Sequence, residues 1–160
     1  MKDDGMSRIV QTIAAVVFPF IMIYGLYIIA HGHLTPGGGF QGGAVVASGL
    51  AMMLVAYGTP WIKNRVKEKQ LSSFESIGAL GFIGTALIGL LLAGVFFQNF
   101  LVSNPYLFGT AVEAGSTAAN INTAGVIPFL NFFVGLKVIA GLFTIVYIMA
   151  YATSHKEGVE

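Results

Sequence analysis

Of the 160 residues, 56% are apolar and only 9% are charged, against roughly 25% charged in an average soluble domain, so water is not the main solvent for this chain. The absence of cysteine excludes disulfides and thiolate-held zinc or iron–sulfur centres, and any redox centre must then belong to another polypeptide. A net charge of +1, with no Lys/Arg cluster interleaved with aromatics, excludes a nucleic-acid partner.

In chain order, the first apolar run is 9–30, broken only by Gln11 and Thr12 as strongly polar residues. It is too long for a signal-peptide core and has no small-residue cleavage site, so a permanent span is expected. The second run, 41–58, is shorter; the third, 75–102, is long enough to span with tilt. The fourth covers 128–151, with Pro128 in the first turn, where a helix tolerates it. A crossing helix needs about 20 residues. Unpaired backbone groups are costly in lipid, and the alternating strands of a closed barrel are missing, so the expected fold is all-α: a single membrane domain over 1–160 of about four transmembrane helices, with a glycine-rich break between the first two.

Lys2 and Arg8 precede the first span, Lys63, Arg65, Lys67 and Lys69 lie between the second and third, and Lys156 follows the fourth. The segments 31–40 and 103–127 hold neither Lys nor Arg. The positive-inside rule then places both termini and the 59–74 loop in the cytoplasm of a multi-pass cell-membrane protein. Small residues recur every four positions in the third span (Gly81, Thr85, Gly89, Ala93) and the second (Gly43, Ala47, Ala51), the pattern that lets helix backbones approach in lipid, within this bundle or against a partner subunit.

The segment from His31 to Gly43 (HGHLTPGGGFQGG) holds six glycines and a proline, and a regular helix is not expected to run through it. Composition leaves two readings open: a flexible hairpin, or a broken-helix element whose backbone lines a hydrated path. A nucleotide-binding loop is excluded, because no strand precedes the glycines and no Gly-Lys-Ser/Thr follows them. His31 and His33 are too few for a metal site, but an interfacial histidine can pass protons near neutral pH. Lys137 lies about ten residues into the fourth span, where an unpaired lysine costs around 2.5 kcal/mol or more. It is read as facing a partner or water, with snorkelling toward an interface as the alternative. Gly141 and Thr144 share its helical face, and neither is a carboxylate. Glu75 is placed at the start of the third span, suited to the helix dipole or to an ion path, and Glu113 in the outer loop, solvated or attracting cations. No nucleophile and base pair emerges, so intrinsic catalysis is not expected.

Within this segment, Gly32-His33, Leu34-Thr35, Pro36-Gly37-Gly38-Gly39-Phe40 and Gln41-Gly42-Gly43 resemble the hallmark of the MnhB-type subunit of multisubunit Mrp (Mnh) sodium/proton antiporters: a Gly-His, a short gap, Pro-Gly-Gly-Gly-Phe and two further glycines. Related subunits occur in archaeal membrane-bound hydrogenases and kindred respiratory complexes. The resemblance implies a small accessory partner of antiporter-type subunits that helps shape a route for Na+ or H+, in a stand-alone antiporter or in a complex with a redox module. It implies no cofactor in this chain, and makes Pro36 to Gly43 the functional segment. Lys137, Glu75 and Glu113 are inferred from burial and charge alone. A structural assembly subunit without ion contact is the alternative.

Overall fold

A computed structural model describes residues 5–34, 36–101 and 124–156. Five helices run in chain order: α1 (Arg8–Ala30), α2 (Gly39–Tyr57), α3 (Thr59–Lys63), α4 (Glu68–Ala93) and α5 (Ile127–Lys156). No strand occurs among the described residues. All but α3 are long and apolar enough to cross a membrane. In space α2 packs between α1 and α5, and α5 packs between α2 and α4, so the spans stand in the order α1, α2, α5, α4.

Two boundaries differ from the sequence expectation. The regular helix excluded from His31 to Gly43 in fact begins at Gly39, which shortens the break to the turn at 31–38. Packing overrides propensity here: Gly39, Gly42 and Gly43 are all buried where α2 touches its neighbours. The third span runs not over 75–102 but over Glu68–Ala93 and stops at Gly94, which takes a left-handed conformation (φ 75°). Its first turn, Glu68-Lys69-Gln70, is polar and therefore invisible to hydropathy, and the Lys67 amide donates to Gln70 Oε1 at 3.4 Å to close the helix start.

At the end of the bundle carrying the basic loop, Leu54, Ile62, Leu71, Phe143 and Tyr147 form a buried cluster drawn from α2, α3, α4 and α5. Gly58, at φ 82°, makes the sharp turn from α2 into α3 that brings Ile62 into it. Tyr57 stacks on Trp61 at 4.5 Å, and the Arg65 guanidinium lies 3.9 Å from the Trp61 ring, an arrangement of aromatic and basic groups suited to a membrane boundary. Tyr57 Oη donates to the Gln11 carbonyl at 3.2 Å and ties α2 to α1.

The α4–α5 seam gives a direct test of the packing. A Cβ on Gly81 would run into the Phe133 ring, whereas one on Gly84 would meet nothing. Gly81→Ala is therefore expected to lower stability by about 1–3 kcal/mol through overpacking, and Gly84→Ala to raise it by roughly 0.5 kcal/mol through helix propensity; thermal unfolding of the purified variants checks both.

Candidate functional site: an intramembrane ion pair and a glycine junction

Two polar features interrupt the apolar spans, and both are built on α5. The first joins residues far apart in sequence: Lys137 Nζ donates to Glu75 Oε1 at 3.2 Å. Lys137 stands ten residues past Ile127 and Glu75 seven past Glu68, so at 1.5 Å per residue they lie about 15 Å and 10 Å inside their helices. Glu75 is thus not at the start of its span, and Lys137 has the carboxylate that its own helix lacks. Close helix approach makes the pair possible. A Cβ on Gly78 would come within 2.8 Å of the Lys137 backbone nitrogen, and one on Gly141 would stand 3.7 Å from Glu75 Oε1. Thr144 faces away from this chemistry, its hydroxyl donating to the Ala140 carbonyl at 2.7 Å.

The pair is not enclosed. The side chains of Lys137 and Glu75 are 49% and 42% exposed, so both charges open onto the flank of the bundle. Each retains bonding capacity: the ammonium has three donors and the carboxylate two oxygens, and one of each is used in the pair.

The second feature is the junction of the 31–38 turn with α5. The three glycines that open α2 divide its packing between two neighbours. A Cβ on Gly42 would strike the Gly25 carbonyl of α1 at 2.6 Å. One on Gly43 would strike the Gly135 carbonyl of α5 at 2.9 Å, and one on Gly39 would collide with the Asn131 carbonyl. Gly37 and Gly38 are less tightly held, a Cβ there lying 3.4 Å from Ile28 and 3.3 Å from Asn131 Oδ1 respectively. Phe40 projects outward, 61% exposed. His31 stacks on Tyr27 with ring centroids 4.2 Å apart, and His33 turns both ring nitrogens into the chain. Pro36 lies in the bend before α2, and Glu113 lies outside the described residues. No group of three or more His, Cys, Asp or Glu side chains able to hold a metal occurs among the described residues.

Of the residues expected from sequence, Glu75 and Lys137 are brought together, whereas the histidine turn meets α5 at Asn131, six residues or about 9 Å along the axis from Lys137. Asn131 itself escaped the sequence reading. A polar residue one turn inside an apolar helix was the signal for it.

Residues 9–144 match the family described as a domain related to the MnhB subunit of Na+/H+ antiporter. An uncharacterized protein of Methanocaldococcus jannaschii is 34% identical over 153 residues, covering 92% of this chain and 55% of its own length. The corresponding Na(+)/H(+) antiporter protein of Bacillus subtilis, likewise a B-type subunit, is 33% identical over 105 residues, 64% of either chain. A chain of the membrane-bound sulfane sulfur reductase, an archaeal respiratory membrane complex, superposes with a TM-score of 0.71 at 32% identity, covering 93% of this chain and 60% of that one. The chain thus spans somewhat over half the length of these relatives.

Proposed function

The chain belongs to the family of domains related to the MnhB subunit of Na+/H+ antiporters, and from that premise we propose that it is an accessory, non-catalytic membrane subunit of a cation/proton-translocating complex, forming one wall of a route that partner subunits complete. The observation that carries this reading is the half-exposed Glu75–Lys137 pair inside two spans. Ionisable groups at such depth are costly unless they face protein, water or each other, and they mark ion and proton paths.

The geometry supplies a simple device. While the ammonium neutralises Glu75, the flank carries no net charge. A Na+ or H+ arriving at the carboxylate competes with Lys137 for it, and in a low-dielectric setting that competition is strong at contact distances. Departure of the ion lets the 3.2 Å contact re-form. Half exposure is what allows a mobile ion or a partner's side chain to reach the pair. The chain needs no cofactor for this, Na+ or H+ being the cargo.

Its partners under this proposal are other antiporter-type membrane subunits, joined by a redox module in complexes of the sulfane sulfur reductase kind. The basic residues around α3 and at the termini assign that end of the bundle, with both termini, to the cytoplasmic side of the cell membrane. A second reading, a structural assembly subunit, draws support from the glycine junction, where Gly39, Gly42 and Gly43 act through packing alone.

The proposal is tested by purifying the affinity-tagged chain from its native membrane, identifying the co-purifying chains and measuring Na+ and H+ flux after reconstitution. Co-purification with antiporter-type subunits and coupled flux are expected. Recovery of the chain alone, or of a complex that moves neither ion, contradicts it.

A further inference from the structure

Where the 31–38 turn meets α5, both ring nitrogens of His33 and Nδ2 of Asn131 are enclosed without a hydrogen-bond partner in the protein. The Asn131 amide is laid directly on the turn. Its Nδ2 lies 2.7 Å from where a Cβ on Gly32 would stand, and its Oδ1 3.3 Å from the same position on Gly38. Gly32 precedes His33, so the amide and the imidazole share one small junction, and glycine at 32 leaves the room for it.

A neutral imidazole presents one donor and one acceptor, and a carboxamide nitrogen presents two donors. Enclosed groups of this kind are almost always bonded to protein or to ordered water. The nitrogens lie beneath the chain's own surface, out of reach of a neighbouring subunit or a lipid headgroup unless the turn opens. A cation would be repelled by the Asn131 N–H groups, and an anion would leave the accepting ring nitrogen unserved. Water matches the set, because one molecule accepts from Asn131 and from the imidazole N–H and donates to the second ring nitrogen.

We propose that the junction of the 31–38 turn with α5 is a buried water site, held by His33 and Asn131. It sets a protonatable imidazole in a hydrated pocket at the glycine end of the bundle. The site exists whether or not ions pass Glu75 and Lys137, so its test is independent of the proposed function.

Pulsed X-ray radiolysis generates hydroxyl radicals from bound as well as bulk water, and mass spectrometry of the assembled complex reads the labelling of each side chain. Tyr147, 2% exposed in an apolar cluster, is the internal dry control. His33 is expected to label at least several-fold faster than Tyr147 in the wild type, and Asn131→Leu to bring it down to the control rate. Equal rates for His33 and Tyr147 in the wild type would mean a dry junction and overturn the proposal, without need of any variant. Fast labelling of His33 that Asn131→Leu leaves unchanged would mean entry of bulk water through an open turn, and would overturn it as well.

Discussion

Lys137→Ala is expected to reduce coupled Na+ and H+ transport by the assembled complex about ten-fold or more, equivalent to a barrier change of at least about 1.4 kcal/mol. The side chain is one half of a 3.2 Å ion pair inside two spans, and its loss leaves Glu75 without a counter-charge. On insertion scales an uncompensated charge at a helix centre costs about 2.5–3.5 kcal/mol, so lower complex recovery is expected alongside the transport defect. Half exposure moderates that structural cost, since a neighbouring polar group or water can still reach the carboxylate. The double variant Glu75→Ala with Lys137→Ala removes both charges and is expected to recover assembly but not transport. Quantifying recovered complex by gel filtration, and flux per recovered complex in proteoliposomes, separates the two effects. Restored flux in the double variant would assign the pair to assembly alone.

The second large effect is expected at the glycine junction. Gly39→Leu places a side chain against the Asn131 carbonyl and within 2.9 Å of the Gly135 backbone nitrogen, both on α5. Neither obstacle is the free end of a flexible side chain, so α2 must move away from α5. Overpacking of this kind costs typically about 1–3 kcal/mol, occasionally more, and the cost falls on the helix that joins α1 to the rest of the bundle. Loss of most of the folded chain from the membrane is expected, whereas Gly37→Ala, whose Cβ would only approach Ile28 at 3.4 Å, is expected to leave its level near wild type. Immunoblots of membrane fractions against a detergent-solubility control check this contrast.

These two sites differ in how far the sequence revealed them. The four spans were legible because hydrocarbon forces long apolar helices, and that constraint acts on composition alone. The Pro-Gly-Gly-Gly-Phe segment was legible as a motif but not as a structure. Its glycines were read as helix breakers, and only the helices packed on Gly39, Gly42 and Gly43 explain why they are helical. Lys137 stood out as a lone cation in an apolar run, yet its partner did not. Glu75 is 62 residues away, and starting the third span at the first apolar residue placed it at the boundary rather than seven residues inside α4. Extending that helix back through its polar first turn would have put a carboxylate at depth, where only a cation in another span can balance it. Asn131 was hidden for a different reason: its meaning comes from the turn beneath it, which no periodicity encodes.

The central claim is that the Glu75–Lys137 pair takes part in ion movement rather than only in holding α4 to α5. Exchanging the charges, with Glu75→Lys and Lys137→Glu combined, keeps an ion pair between the same helices but puts the carboxylate on α5. The account predicts a complex that assembles at wild-type yield and melts at a similar temperature, with its ratio of Na+ moved to H+ moved altered or its coupled flux lost. Normal assembly together with a wild-type ratio and rate would contradict it.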